Sequence, residues 1–122
     1  MIEQLKSFPE NVLAFLASGR VSKADYDSVL IPSVIGVLKS QNKVRLYYET
    51  AEDFVGIDPG AIWEDFRIGI EHLSRWERVA VVTDVKWIEQ TVRLFGFLLP
   101  GAVRAFAASE ADSAREWITA SN

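Results

Sequence analysis

The sequence contains no cysteine, a single histidine and no long apolar run. The lack of cysteine excludes disulfides, thiolate metal sites and cysteine nucleophiles, and one histidine excludes any site built from several. The longest stretch without a polar side chain, residues 94–103, is about half of the ~20 residues that span a bilayer. The first residues also lack the basic and apolar regions of a signal peptide. These absences predict a cytoplasmic protein without a transmembrane segment.

Positive charge is scarce as well. The 122 residues include 13 lysines and arginines against 17 acidic residues, which gives a net charge of −4. A protein that binds nucleic acid without sequence preference needs a basic face, so nucleic acid is not an expected partner. Hydrophobic residues make up 49% and charged residues 25% of the chain, as is typical of a globular protein. The length predicts one domain over residues 1–122.

No motif for catalysis or nucleotide binding is found. The sequence has neither the G-x-S-x-G turn of a serine hydrolase nor a glycine-rich phosphate loop. His72 is predicted on the flank of a helix, and nothing at its spacing supports proton transfer. Residues 49–66 carry six acids and no lysine or arginine, but their spacing does not match a calcium-binding loop. We therefore expect no enzyme activity, no cofactor and no metal, and we interpret the acidic stretch as solvated.

Short apolar runs alternate with helical runs along the chain, which is the pattern of α/β folds. The predicted strands cover residues 2–5, 12–17, 43–49, 78–83 and 102–107. The short turn at residues 9–11 makes the first two strands an antiparallel hairpin. Four helices are predicted, with the caps or first residues Ser22, Asp58 before Pro59, Asp84 and Glu110. Pro32 should kink the first helix.

The predicted core consists of apolar residues on the strands and on one face of each helix. Its members are Phe15, Leu46, Phe66, Ile70, Val81, Ile88, Val92 and Phe95. In the second helix, the buried stripe is predicted to be Ile62, Phe66, Ile70 and Leu73. In the third strand, Val44, Leu46 and Tyr48 alternate with Arg45, Tyr47 and Glu49, which indicates one buried face and one polar face.

Two further sets of apolar residues lie off the predicted core faces. Ile31, Ile35 and Leu38 follow one another at helical spacing on a separate face of the first helix, and they predict a homodimer interface. In the third helix, Trp87, Leu94 and Leu98 form a second stripe beside the core stripe, and Phe97 falls on the polar side.

The segment that ends the third helix, residues 95–101, is more apolar than one sheet face needs. One interpretation is a well-buried helix followed by a packed loop. The other is a mobile cover over an apolar pocket, or a contact surface for a partner or a lipid. Exposing side chains such as Phe97 and Leu98 forfeits roughly 1.5–3 kcal/mol each, which favours a functional reason for any exposure.

Several segments resemble the SpoIIAA-like family of small bacterial proteins. They are residues 79–88, residues 95–101, residues 19–26 and the pair Tyr48–Glu49, and the resemblance covers essentially the whole chain. It implies a STAS-type β-α superhelix, similar in shape to the lipid-binding CRAL-TRIO fold. The implied sheet has five strands, with an antiparallel edge strand followed by four parallel strands, and four helices accompany it.

The functional implication of this resemblance is narrower. In the anti-sigma-factor antagonists, a serine at the start of a helix is phosphorylated by a partner kinase. The segment that looks equivalent has Asp58 and Gly60 around Pro59, so no hydroxyl is present there and we expect no phosphorylation at this turn.

Two functions follow as expectations. The first is a non-catalytic regulatory module that binds a protein partner through the helix after Asp58, with Gly60 and Trp63 as further candidates. The alternative is a carrier of an apolar or lipid-like ligand under residues 95–101. The candidate residues of this carrier are Trp87, Leu94, Phe97 and Leu98.

Overall fold

The computed structural model describes residues 1–71, 73–98 and 102–121, apart from the side chains of residues 65, 66, 68–70, 73, 95 and 98. His72, which the sequence placed on a helix flank, therefore lies outside the described residues. The same holds for the side chains of three predicted core residues, Phe66, Ile70 and Phe95.

A five-stranded mixed sheet forms the centre of the molecule. Its strands, in spatial order, are β1 (Ile2–Gln4), β2 (Val12–Ala17), β4 (Val44–Thr50), β6 (Trp76–Val82) and β7 (Val103–Phe106). β1 pairs with β2 antiparallel, and the other three pairings are parallel. The predicted fold class is therefore confirmed, with the central apolar run of β6 inside the sheet.

The helices cover the two sheet faces unequally. They are α1 (Lys23–Asp25), α2 (Ile31–Ser40), α3 (Pro59–Glu71), α4 (Lys86–Leu98) and α5 (Ala111–Thr119). The chain passes from β2 to β4, from β4 to β6 and from β6 to β7, and each connection moves one strand farther across the sheet in the same direction. Right-handed crossovers of this kind place their helices on one face of the sheet. Accordingly, Leu30, Val34, Ala61 and Ile88 share one core cluster, whereas Ala114 and Ile118 of α5 belong to a second cluster on the other face.

A second, two-stranded sheet was not predicted. β3 (Arg20–Val21) pairs in parallel with β5 (Gly56–Ile57). Two residues are too few to give a period in the sequence, so no pattern indicates these strands. Gly19 precedes β3 with φ of 55°, a conformation that glycine adopts without steric cost. This small sheet brings the start of α1 beside the start of α3.

The first predicted helix is interrupted by a wider turn. Between α1 and α2, residues Tyr26–Leu30 form a π-helical turn in which Ile31 N–H bonds to the carbonyl of Tyr26. Ser22 caps the start as predicted, and Ser22 and Asp25 bond reciprocally: Ser22 Oγ accepts the N–H of Asp25 at 3.1 Å, and the Asp25 carboxylate accepts the N–H of Ser22 at 2.9 Å. Pro32 has no N–H to donate, and the irregularity comes just before it.

The described side chains confirm most of the predicted core. Phe15, Val81, Ile88 and Val92 are buried, while Leu46 is half-buried against the same cluster. The prediction that one face of β4 is polar and exposed is wrong, because Arg45 and Tyr47 on that face are buried under α5.

Arg45 is buried because its guanidinium satisfies several groups at once. Nε lies 2.6 Å from the Glu77 carboxylate, and Nη1 donates to the carbonyls of Ile118 and Ala120 at 2.9 and 2.6 Å. The last carbonyls of a helix have no partner within the helix, so Arg45 ties the end of α5 to the sheet. Tyr47, on the same strand, donates to Glu49 at 2.6 Å, and burial first and then this bond raise the pKa of its phenol well above the usual value.

The start of α4 also differs from the prediction. Asp84 does not cap α4 but accepts the N–H of Ala108 at 3.0 Å, where a short 3₁₀ turn leads into α5. Thr83 Oγ1 instead accepts the N–H of Val85. Farther along α4, a Cβ added to Gly96 would lie 3.1 Å from the carbonyl oxygen of Val103, so the helix runs very close to β7.

Candidate functional site

The start of α3 is held by backbone and charge contacts of Asp58. Its N–H donates to the carbonyl of Val21 at 2.8 Å, and its own carbonyl accepts the N–H groups of Ala61 and Ile62. The carboxylate bonds to Nε of Arg20 at 2.5 Å. Asp58 thus occupies the predicted cap position through its backbone, whereas its side chain fixes β3 to the turn.

Gly60 lets α1 and α3 pack closely. A Cβ at this position would lie 3.3 Å from Lys23 Cδ and 3.4 Å from Lys23 Cβ. The Lys23 amine lies 2.7 Å from the Asp27 carboxylate, and this hydrogen bond raises the pKa of Lys23. The start of α3 therefore lies against α1, and residues 58–60 carry no hydroxyl group.

Three apolar side chains beside this turn are exposed. Val55 is 72%, Ile62 42% and Trp63 61% exposed, and we call these three residues the α3 apolar patch. The backbone N–H of Val55 donates to the carbonyl of Gly19 at 2.9 Å, which fixes the loop before β5. Ile62 was predicted to be buried, but the helix turns Ala61 inward instead, with Ala61 fully buried.

Acidic residues lie close to the α3 apolar patch in the chain. Glu52 and Asp53 are exposed, and Asp53 accepts the N–H of Gly19 at 3.4 Å. Farther along α3, Arg67 bonds to both Glu64 and Glu71, at 2.6 and 3.0 Å. Two acids of the stretch at residues 49–66, Glu52 and Asp53, are thus exposed to solvent within three residues of Val55.

A second apolar surface runs along α4. Trp87, Leu94 and Phe97 are 45%, 64% and 84% exposed, and we call them the α4 apolar stripe. Ile88 and Val92 on the same helix are buried, as predicted. The side chain of Leu98, and residues 99–101 of the predicted cover, lie outside the described residues.

A cleft of about 130 Å³ lies between α4 and the end of β7. Its lining residues are Glu89, Arg93, Ala105, Phe106, Ala107 and Glu110. Arg93 and Glu89 form an ion pair of 2.8 Å. This lining is largely polar, so the cleft does not have the character of the apolar pocket expected next to residues 95–101.

The predicted dimer face is only partly exposed. Ile31 and Leu38 are half-buried against the core, whereas Ile35 is 49% exposed. The expectation that all three lie on a face separate from the core is thus wrong for Ile31 and Leu38, because they lie three residues before and four residues after the buried Val34 and therefore share its face. The homodimer itself stays a prediction, which sedimentation tests.

The buried polar groups serve structural roles. The hydroxyls of Tyr26 and Tyr48 lie 3.2 Å apart, and Thr50 donates to Thr83 at 2.8 Å. Among the described residues, no group of three or more histidine, aspartate or glutamate side chains could hold a metal ion.

Comparison with known proteins identifies the family. A family description of SpoIIAA-like proteins matches residues 12–119. The chain belongs to the SpoIIAA-like family. It is similar in structure to an uncharacterized protein of the DUF3478 family with a SpoIIAA-like fold from Shewanella loihica PV-4, with a TM-score of 0.71. The two are 22% identical, and the match covers 97% of this chain and 92% of the other.

No curated protein matches the chain. Within the part that the structure describes, none of the helices is long and apolar enough to cross a membrane.

The sequence patterns did not indicate every residue of the α3 apolar patch and its surroundings. Val55 lies in a loop, where no periodicity applies, and Arg20 lies in a strand of two residues. Ile62 fits the helical period of a buried stripe, and only the packing of α3 on α1 shows which face turns inward.

Proposed function

We propose that this SpoIIAA-like protein is a cytoplasmic, non-catalytic regulatory module that binds a partner protein through the α3 apolar patch. The observation that carries the proposal is the exposure of Trp63, at 61%, beside two further exposed apolar side chains. Single apolar residues on a surface are ordinary, but a group of them marks an interaction site.

Geometry and size support a protein contact at this place. Val55 precedes Asp58 by three residues, so roughly 10 Å separates it from the start of α3 at most. Tryptophan is enriched among the residues that dominate interface energies. With 61% of its surface in water, Trp63 offers about 150 Å² for burial, which corresponds to about 4 kcal/mol before the costs of association.

The proposed module differs from a phosphorylation switch. Residues 58–60 are Asp-Pro-Gly, which present no hydroxyl at the turn where α3 begins. Incubation with an anti-sigma-factor kinase and ATP should add no phosphate at this turn, as intact-mass measurement followed by peptide mapping would show. A phosphate found on the peptide that carries these residues would overturn this part of the proposal.

Site-specific crosslinking tests the surface directly. A photoreactive phenylalanine analogue replaces Trp63 in one variant and Glu116, which is exposed on α5, in a matched control. In cells of the source organism, we expect a discrete crosslinked protein from position 63 and none of that mass from position 116. The same products from both positions, or none from either, would contradict the proposal.

The α4 apolar stripe supports a second candidate, the carrier of an apolar or lipid-like ligand. Leu94 and Phe97 lie three residues apart and are 64% and 84% exposed. Native mass spectrometry of protein purified from its own host separates the candidates, because a carrier retains a fatty acid or lipid and a module retains a protein in fixed ratio. Uptake of a fluorescent apolar probe should fall in Phe97→Ala if the stripe contacts a ligand, and equal uptake by the variant and the parent would exclude it.

A further inference from the structure

Negative charge around the α3 apolar patch is only partly neutralised. Glu52 and Asp53 are exposed and form no ion pair with any residue that the structure describes. By contrast, the nearby Asp58 and Asp27 carboxylates are paired with Arg20 and Lys23.

The α3 side of the patch is closer to neutral. Arg67 bonds to both Glu64 and Glu71, and the charge of Lys23 also interacts with Glu64. No lysine or arginine occurs between residues 49 and 66. The unpaired acids therefore lie on the loop side of the patch, two and three residues before Val55.

Negative charge beside an apolar surface determines which class of partner the surface favours. A surface bordered by acids repels an anionic partner, including nucleic acid and anionic lipid, and attracts a cationic one. The exposed indole of Trp63 can also receive a guanidinium over its face, which a desolvated contact strengthens. An amphipathic helix that carries apolar residues on one face and cations on its edges fits both properties.

Resting on the proposed function, we infer that the partner contacts the α3 apolar patch through a basic amphipathic helix. The apolar face of that helix covers Val55, Ile62 and Trp63. Its lysine or arginine side chains lie against Glu52 and Asp53. This assigns the partner a chemical class that the proposed function alone leaves open.

Three synthetic peptides of equal length provide the test by isothermal titration. One is a helical peptide of lysine and leucine, the second replaces each lysine with glutamate, and the third replaces each leucine with serine. We expect the lysine–leucine peptide alone to bind, with an affinity that falls at least ~10-fold in Trp63→Ser and in the double variant Glu52→Lys/Asp53→Lys. Higher salt should weaken it further.

A matched control separates local from overall charge. The double variant Asp112→Lys/Glu116→Lys makes the same charge change on exposed positions of α5, and its affinity should stay within about twofold of the parent. An equal loss in both double variants overturns the inference, because overall charge then accounts for binding. Val55→Ser supplies the same readout if Trp63→Ser does not fold.

The remaining outcomes distinguish the inference from the function beneath it. If the glutamate–leucine peptide binds and depends on Trp63, the patch docks a partner but the inferred charge is wrong. If the lysine–serine peptide binds as well as the lysine–leucine peptide, the apolar part of the inference is wrong. If no peptide responds to either Trp63→Ser or Val55→Ser, both the inference and the proposed surface are overturned.

Discussion

Replacing Phe97 with alanine should leave the free energy of unfolding almost unchanged, although Phe97 is a large aromatic residue within α4. Phe97 is 84% exposed, so only about 30 Å² of a phenylalanine surface of roughly 200 Å² leaves water on folding. At ~25 cal/mol per Å², that burial contributes less than about 1 kcal/mol. Alanine is the better helix former by about 0.5 kcal/mol, which offsets much of the loss.

Phe15 provides the matched comparison, because the same substitution removes a fully buried ring. Phe15 is 0% exposed in the centre of β2. Truncation of a buried phenylalanine costs on the order of 3–5 kcal/mol through lost transfer energy and the cavity left behind. The two variants should therefore differ by at least ~2 kcal/mol in the free energy of unfolding.

Urea titration followed by far-UV circular dichroism measures both variants with the parent protein. Dichroism is preferred to fluorescence because the chain contains four tryptophans. A loss of more than ~2 kcal/mol in Phe97→Ala would show that this ring belongs to the core. The α4 apolar stripe would then be ordinary packing, and the carrier candidate would lose its support.

Four other substitutions test the packing of the fold. Arg45→Met should lower the free energy of unfolding by about 3 kcal/mol, because it removes the ion pair with Glu77 and the bonds to the carbonyls of Ile118 and Ala120; an unchanged urea midpoint would contradict this. Gly36→Ala should stabilise by about 0.5–1 kcal/mol, since no atom lies within 4 Å of the new Cβ, while Gly96→Ala should not; thermal unfolding compares them. Folding raises the pKa of Tyr47, so the contribution of this residue to the free energy of unfolding is complete below about pH 10 and declines above it. Tyr47→Phe should flatten that alkaline decline in urea titrations, and an identical pH profile would contradict this.

The order of the five strands of the main sheet and of the helices between them follows from the sequence alone. The apolar run of β6 and the alternation of β4 have the lengths and periods of strands, and the short turn after β1 permits only an antiparallel pair. The stripe of α4 that contains Ile88 and Val92 has the helical period and is buried. These features depend on neighbours close in the chain, so a local pattern contains them.

The partners of polar side chains depend on residues far apart in the sequence. Asp58 and Asp84 both precede helices, yet their carboxylates bond to Arg20 and to the N–H of Ala108. Arg45 has the spacing of a solvent-facing residue and is buried, because α5 folds back across that sheet face from the other end of the chain. No local pattern contains such a contact.

The candidate site divides in the same way. Asp58, Gly60 and Trp63 stand out in the sequence because they open a helix within an acidic stretch. Val55 and Ile62 join them only because β3 and β5 pair and because α3 packs on α1 through Gly60, so that Ala61 turns inward. Helical period identifies an apolar face, but the packing of one element on another decides which apolar residues stay in water.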